Sequence, residues 1–136
     1  MNDVSNYPKW VSDIKTAKTL KVVSDSKRYD YYEISVPWPF DNRDIAEMVQ
    51  IKGSAAKFEL IASIKPNFIP KKKGIVRIER AYGSWKLEAL DSKKTNVTYE
   101  LGSDPGGFIP LWVINLLIVD GPYQTLTNLK DIAKPK

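Results

Sequence analysis

Histidine and cysteine are both absent from this chain of 136 residues. Because histidine is the commonest general base and metal ligand, its absence excludes Ser-His and Cys-His nucleophile systems and histidine-based zinc or iron sites. The lack of cysteine excludes disulfide bonds and thiolate chemistry. We therefore expect no metal and no cofactor, and only carboxylates, tyrosines and lysines remain as candidate general bases.

A targeting signal is missing at residues 1–5, which lack a basic region followed by an apolar one. This favours a cytoplasmic location. The length predicts one domain over residues 1–136, with room for a hydrophobic core. The net charge of +5 is mild, and most basic residues are scattered among acids. Nucleic-acid binding needs a clustered basic face, so we expect no nucleic-acid partner.

The longest apolar run covers residues 108–119 and follows a turn containing Pro105 and two glycines. Pro110 has its φ angle preset for a first helical turn. The predicted helix has an apolar stripe formed by Leu111, Ile114 and Ile118, yet further apolar residues surround the cylinder. The run is too short to span a bilayer. A core, an apolar ligand, a partner or a membrane surface must therefore cover both of its sides.

Helix is predicted from residue 110 to about 133, with an interruption at Gly121-Pro122. Pro122 lacks an amide hydrogen, and its ring clashes with the carbonyl group of Ile118. We therefore expect a kink just before Pro122. The kink is interpreted either as a packing feature or as a hinge that lets the first half of the helix lift away.

Alternation of apolar and polar residues predicts six strands, at residues 14–24, 29–36, 43–51, 56–64, 75–90 and 95–101. Short turns between them indicate an antiparallel meander. The long fifth strand changes phase midway, which a bulge at Gly83 would explain. The predicted fold is α+β: a curved antiparallel sheet of about six strands that grips a long C-terminal helix.

Three segments then occur in order: Asn-Tyr-Pro-Lys-Trp at 6–10, Val-Pro-Trp-Pro-Phe-Asp-Asn-Arg-Asp at 36–44, and Asp-Pro-Gly-Gly-Phe-Ile-Pro-Leu-Trp-Val-Ile-Asn at 104–115. Together they resemble the START family, the steroidogenic-acute-regulatory-related lipid transfer domains of the helix-grip superfamily. The resemblance covers essentially the whole chain, and it includes Gly-Ile-Val-Arg-Ile at 74–78.

The resemblance implies a tunnel between the sheet and the C-terminal helix that holds one apolar or amphipathic molecule, such as a sterol, phospholipid or ceramide. It also implies that the helix and nearby loops move to admit this molecule. The family domain has a helix and several strands before the segment at 6–10, so this chain is interpreted as an N-terminally shortened member. Its last strand then lacks a neighbour, and we expect a homodimer through that edge or a very open cavity.

The predicted cavity combines the apolar strand faces, the tryptophan motif and the helix stripe. Its residues are Trp10, Glu47, Val49, Leu60, Ile78, Arg80, Tyr82, Trp85, Tyr99, Leu111, Ile114 and Ile118.

Two charged residues, Glu47 and Arg80, lie on otherwise apolar strand faces. A lone buried charge costs several kcal/mol, so the sequence favours a pair, direct or bridged by a ligand hydroxyl. The alternative is that strand twist turns one or both to solvent. Lys9 and Val11 flank Trp10, and Val49 stands where the family sometimes has a second arginine. The head-group contacts of the family therefore do not transfer, and the lipid class stays open.

Two loops are predicted to flank the tunnel mouth and to dock transiently on a membrane surface. Their residues are Trp38, Phe40, Phe68, Ile69, Lys71, Lys72 and Lys73. The three lysines are interpreted either as a solvated loop or as a site attracted to anionic lipids. The aromatic residues either dock at the interface or fold back into the core.

The leading hypothesis is non-enzymatic binding of a lipid or other hydrophobic ligand, with transfer or sensing as its use. The alternatives are an enzyme of the helix-grip superfamily, resembling a cyclase or hydrolase, and a protein-interaction module. The enzyme needs a general base, and Glu47 is the only acid that the sequence places in the cavity. The interaction module needs an apolar helix face and an open strand edge.

Overall fold

The computed structural model describes residues 3–54, 56–106 and 109–133. Its strands are β1 (Ile14–Ser24), β2 (Lys27–Ile34), β3 (Arg43–Gly53), β4 (Lys57–Ile64), β5 (Val76–Arg77), β6 (Arg80–Ala89) and β7 (Thr95–Asp104). Its helices are a 3₁₀ turn (Val4–Asn6), α1 (Tyr7–Trp10), α2 (Leu111–Asn115), a π-helical segment (Leu116–Asp120) and α3 (Gly121–Ile132). Gly107 and Phe108, part of the turn predicted before the helix, lie outside the described residues.

The long strands form one sheet in the order β1-β2-β3-β4-β6-β7, with every neighbouring pair antiparallel. The short β5 pairs in parallel with the start of β3. Because most neighbours in the sheet follow each other directly along the chain, short turns connect them. The predicted α+β fold, an antiparallel sheet with a long C-terminal helix, is confirmed.

The predicted long strand at 75–90 is in fact two strands. Val76–Arg77 pairs with β3, whereas Arg80–Ala89 pairs with β4 and β7. Both registers of β6 run through Gly83 without a shift, so the predicted bulge there is wrong. The phase change in the sequence reflects this change of partner at residues 78–79. The register shifts of the sheet lie between β1 and β2.

The C-terminal helix runs from Leu111 to Ile132, and its hydrogen bonding changes in the middle. The π-helical segment ends at Asp120, immediately before Gly121-Pro122. Because Pro122 has no N–H to give to the carbonyl of Ile118, the regular α-helical ladder cannot continue there. The disturbance predicted at Pro122 is therefore present as a widened turn.

Polar contacts fasten α3 to the N-terminal segment. The backbone N–H of Ser12 donates to Thr125 Oγ1 at 2.9 Å, and Asn128 Nδ2 donates to the carbonyl of Trp10 at 3.0 Å. A Cβ at Gly121 would lie 2.9 Å from Asp13 Oδ2 and 3.2 Å from the carbonyl oxygen of Leu116, so glycine favours this close approach. The second half of the helix is thus held firmly at residues 10–13.

A buried ion pair anchors the loop between β4 and β5. Arg77 Nε donates to Asp44 Oδ1 at 2.6 Å, and both side chains are 1% exposed. The same guanidinium donates to the carbonyl oxygens of Pro66, Ile69 and Pro70. Arg77 therefore shapes the loop and fixes it to the start of β3.

The described helices include none that is long and apolar enough to cross a membrane. Within the described residues, β1 and β7 are the edge strands of the sheet. Association through the β7 edge stays a prediction.

Candidate functional site

A pocket with a cavity volume of about 150 Å³ lies between the sheet and the C-terminal helix. We call the sheet face that borders it the inner face and the opposite one the outer face. Strand side chains alternate between these faces, so every second residue contributes. The inner-face residues at the pocket are Tyr32, Ile34, Arg43, Ile45, Glu47, Val49, Leu60, Ala62, Ile64, Ala81, Gly83, Trp85, Tyr99, Leu101 and Ser103.

Most of the predicted cavity residues do border this pocket. They are Trp10, Glu47, Val49, Leu60, Ile78, Tyr82, Trp85, Tyr99 and Ile118. Tyr82 is the marginal member, because it is 62% exposed and its ring covers Gly102. Pairing and alternation therefore bring together residues that are far apart in the chain.

The prediction that Arg80 lines the cavity is wrong, because Arg80 is exposed and does not border the pocket. The break between β5 and β6 resets the alternation, so that Ala81 and Gly83 occupy the inner face instead. The predicted pair between Glu47 and Arg80 is consequently wrong. The buried arginine of this region is Arg77, which lies on the outer face with Asp44.

The predicted apolar stripe of the helix also differs from the face that borders the pocket. Leu111 is 71% exposed, and Leu111 and Ile114 do not border the pocket, whereas Leu117 and Ile118 do. The sequence prediction assumed a uniform α-helical period, but the π-helical segment widens one turn. In this helix Val113, Gly121 and Thr125 are buried, and Leu117, Ile118, Pro122 and Thr125 border the pocket.

Aromatic rings form one wall of the pocket. Trp85 stacks on Tyr99 with 4.0 Å between ring centroids, and Trp10 meets Trp85 edge-on at 6.1 Å. Tyr7, which the sequence prediction missed, contacts Trp10 edge-on at 5.6 Å. Burial raises the pKa values of Tyr7 and Tyr99 to about 12, so both hydroxyls stay protonated at neutral pH.

Glu47 of β3 is an acid that borders the same pocket. Burial raises the pKa of its carboxyl group to about 7, although the Tyr32 hydroxyl donates a hydrogen bond to it and Arg28 attracts it. Burial also raises the pKa of Tyr32 well above its ordinary value, so this hydroxyl remains a donor. Arg28 itself is paired with Asp30 at 2.8 Å.

Two further charged residues border the pocket. Burial raises the pKa of Asp13, which lies beside Gly121 of α3. Arg43 donates to the carbonyl oxygens of Pro105 and Gly106, at 3.0 and 2.7 Å, and to that of Asp41. Burial lowers the pKa of Arg43. This guanidinium therefore ties the β2–β3 loop to the turn before α2.

The predicted entrance loops occupy different positions. Trp38 is 91% exposed in the β2–β3 loop, and Phe40 of the same loop is half-buried. Through Arg43 this loop lies beside the turn that leads to the exposed Leu111 and Trp112. The two segments that Arg43 joins thus each lie close in sequence to exposed apolar side chains.

The second loop, at residues 65–75, was predicted to flank the tunnel mouth, but it covers the outer face of the sheet instead. Phe68 stacks on Tyr29 with 4.2 Å between ring centroids, and Lys72 lies over the Tyr31 ring at 4.4 Å. Lys71 pairs with Glu79. Phe68, Ile69 and the three lysines are not among the pocket residues. Arg77 holds this loop away from the mouth that the sequence analysis assigned to it.

Residues 3–54, 56–106 and 109–133 contain no group of three or more acids that could hold a metal ion. The arrangement instead offers an apolar and aromatic pocket that is bordered by the carboxyl groups of Glu47 and Asp13 and by Arg43. Such a pocket can bind an apolar body and hydrogen-bond one polar group.

Comparison with known proteins gives the family. A family model described as the START domain matches residues 1–126. The chain belongs to the START family. Its relatives include an uncharacterised protein of Pseudomonas aeruginosa, 34% identical over 98% of this chain and 66% of the relative. The rat phosphatidylcholine transfer protein is 27% identical over 97% of this chain and 62% of its own length. The chain thus spans about two thirds or less of these curated relatives.

Solved structures agree with this assignment. A STAR-related lipid transfer protein fragment from Xanthomonas axonopodis superposes with a TM-score of 0.83 at 32% identity, covering 98% of this chain and 75% of that one. Human STARD10 superposes with a TM-score of 0.74 at 23% identity, covering 94% and 55%. The second likeness supports the START fold alone.

Proposed function

We propose that this START domain binds one lipid or other apolar molecule in the pocket beneath its C-terminal helix, and that it does so without catalysing a reaction. The observation that supports this most directly is the pocket itself, an apolar and aromatic cavity between the helix and the sheet. Relatives named as a phosphatidylcholine transfer protein and a lipid transfer protein support the ligand class. We treat residues 1–136 as a single lipid-binding domain.

The size of the cavity bears on how a ligand enters. Its volume of about 150 Å³ equals that of an engineered cavity that holds benzene. A longer lipid therefore requires the helix to move. The contacts of Thr125 and Asn128 hold α3 to residues 10–12, whereas in the first half of the helix Leu111 and Trp112 are exposed and Val113 is buried. We propose that the first half moves about the π-helical segment while α3 stays in place.

Filling the pocket tests this proposal. Ala62 borders the cavity beside Gly83, its pairing partner on β6. We expect Ala62→Phe to weaken binding of a small apolar probe at least tenfold, because the new ring occupies the volume the probe needs, roughly 1.4 kcal/mol or more. Quenching of tryptophan fluorescence by the probe measures the affinity, since Trp10 and Trp85 both border the pocket.

Ala89→Phe is the matched control, because Ala89 is exposed and does not border the pocket. Equal affinities of the two variants would contradict the pocket as the binding site. Organic extraction of the native protein followed by mass spectrometry adds an independent readout, a co-purified lipid. Absence of such a lipid, together with no binding of any apolar probe, would remove the proposed function.

We also propose transient contact with a membrane surface at the end of the molecule that carries Trp38, Leu111 and Trp112. Trp38 is the most exposed large apolar side chain among the described residues. Tryptophan suits the interface because its ring is apolar and its N–H stays wet. This contact would bring the membrane next to the mobile first half of the helix.

Replacing Trp38 tests the membrane contact. We expect Trp38→Ala to weaken binding to liposomes about tenfold, because the ring loses roughly 1.5 kcal/mol of burial on insertion. Co-sedimentation with liposomes measures the partition. Leu90→Ala is the control, since Leu90 is 65% exposed and directly follows Ala89, the last residue of β6. Equal loss in both variants would argue against a specific docking end.

Homodimerisation through the β7 edge and a cytoplasmic location remain predictions from the sequence. The choice between lipid transfer and lipid sensing depends on whether the bound molecule is delivered to acceptor membranes.

A further inference from the structure

We propose that Glu47 anchors the polar end of the ligand, and that this end is a hydrogen-bond donor, a protonated amine in preference to a neutral hydroxyl, rather than a phosphate or carboxylate. This inference rests on the proposed function, because it names the chemistry of the molecule that the pocket takes. It concerns a residue whose expected partner, Arg80, turns out to face solvent.

The Glu47 side chain lies on the face of β3 that borders the pocket. Ile45, Glu47 and Val49 alternate on the inner face of β3, and all three border the pocket. Ile64 is the register partner of Glu47 on β4 and borders the same cavity. The half-buried Glu47 side chain therefore faces the space that a ligand would occupy.

Within the part of the chain that the structure describes, the Glu47 carboxyl group forms no ion pair. Among the described residues, no lysine or arginine lies within 4.0 Å ion-pair distance of Glu47. Arg28 is paired with Asp30, and Arg43 donates to backbone carbonyls. Arg77 lies on the outer face with Asp44. A buried carboxyl group in this position gains most from a ligand that brings its own donor or positive charge.

Tyrosines and further acids lie around the Glu47 carboxyl group. The groups that act electrostatically on Glu47 are Tyr32, Asp30 and Arg28 of β2, and its charge acts in turn on Tyr7 and Tyr99. The three tyrosines border the same pocket, and aromatic rings can attract a cation. Asp13 supplies a second carboxyl group at the pocket. An anionic head group at Glu47 would face a like charge in a low-dielectric site.

A matched ligand series tests the inference on the unmodified protein. Benzylamine, benzyl alcohol and benzoate share one aromatic ring, close in size to the benzene that a cavity of this volume holds, and differ in the polar end. Titration calorimetry at pH 8 measures their affinities. We expect the amine to bind at least tenfold more tightly than the acid, with the alcohol between them, because a charge-assisted hydrogen bond exceeds a neutral one.

The variant Glu47→Gln separates this contact from the apolar part of binding. It should weaken the amine about tenfold and leave the alcohol within about threefold, since only the charged contact is lost. Glu88→Gln is the matched control, because it removes the same charge from an exposed position on β6. We expect that control to leave the order of the three ligands unchanged.

The outcomes distinguish the two levels of the proposal. If the alcohol binds but the amine binds no better than the acid, or if Glu47→Gln leaves the amine unaffected, the inference about Glu47 is overturned and the proposed function stands. If none of the three ligands binds the unmodified protein, the pocket does not take apolar molecules of this size and both fail.

Discussion

Replacing Arg77 with methionine is expected to cost about 3–5 kcal/mol of unfolding free energy, the largest effect of any single substitution considered for this protein. The Asp44 carboxylate would stay buried, with its side chain 1% exposed, and would lose the two donors that Arg77 provides at 2.6 and 3.2 Å. Tyr31 would remain its donor at 2.7 Å. One neutral hydroxyl does not compensate a buried negative charge.

The same substitution removes the anchor of the β4–β5 loop. Three backbone carbonyls, those of Pro66, Ile69 and Pro70, lose the guanidinium that they share. We therefore expect Arg77→Met to lower Tm by about 10–20 °C, measured by thermal unfolding followed by circular dichroism. Stability of this size is a large part of the total for an ordinary domain.

The exposed pair of Lys71 and Glu79 provides the control. Their side chains are 61% and 64% exposed, so solvent screens the attraction. Lys71→Met should change the unfolding free energy by less than about 1 kcal/mol. The double variant Asp44→Asn with Arg77→Met should recover part of the loss, because no unpaired charge is then buried. A similar Tm for Arg77→Met and Lys71→Met would refute the role assigned to Arg77.

A second large effect is expected from pH, through Glu47. Burial raises the pKa of this group to about 7 from an ordinary value of 4.5. Between these two values the folded protein holds a proton that the unfolded chain has released. Unfolding free energy therefore falls as pH rises from about 4.5 to 7 and changes no further above that, by roughly 3 kcal/mol in total. Asp13, whose pKa is also raised by burial, contributes with the same sign.

The comparison of Glu47→Gln with the unmodified protein isolates this contribution. Groups common to both proteins cancel in the difference, so the variant should gain roughly 3 kcal/mol relative to the unmodified protein between pH 4.5 and 8. Urea unfolding at several pH values measures it. Glu88→Gln, at an exposed position, is the control for the loss of one negative charge. A constant difference for Glu47→Gln would mean that the Glu47 carboxyl titrates normally.

The two Glu47 experiments share one physical cause. Above pH 7 the free protein keeps an ionised carboxylate in an apolar pocket, which destabilises it. A protonated amine would supply the missing charge and should therefore raise the unfolding free energy most where the free protein is least stable. This links ligand chemistry to protein stability through one side chain.

The strands and the family were within reach of the sequence alone. Alternation set five of the six predicted strands within a few residues, and the ordered motifs at 6–10, 36–44 and 104–115 identified the family. The structure gives these motif residues supporting roles. Asn42 Oδ1 accepts a hydrogen bond from Val36 N–H, Arg43 ties two loops, and Asp44 pairs with Arg77. Such residues are recognisable because a fixed backbone geometry requires their donors and acceptors.

Other features were decided only by tertiary structure. Residues 75–90 alternate like one strand, yet the chain leaves β3 for β4 at residues 78–79 and turns Arg80 outward. Alternation along a single strand would put Arg80 on the same face as Val76 and Ile78 and Arg77 on the opposite face. Only the pairing of two separate strands shows that Arg77 is the buried arginine and that Arg80 is exposed. The residues at 65–75 could likewise cover either face of the sheet until Arg77 fixed them to the outer one.

The helix shows the same division. Its apolar composition, its start near Pro110 and its disturbance at Pro122 follow from residue chemistry. The face that it buries does not, because a single π-helical turn rotates every residue before it relative to α3. Short-range periodicity determines which segments form helices and strands, whereas pairing partners and helix phase decide which side chains meet in the pocket.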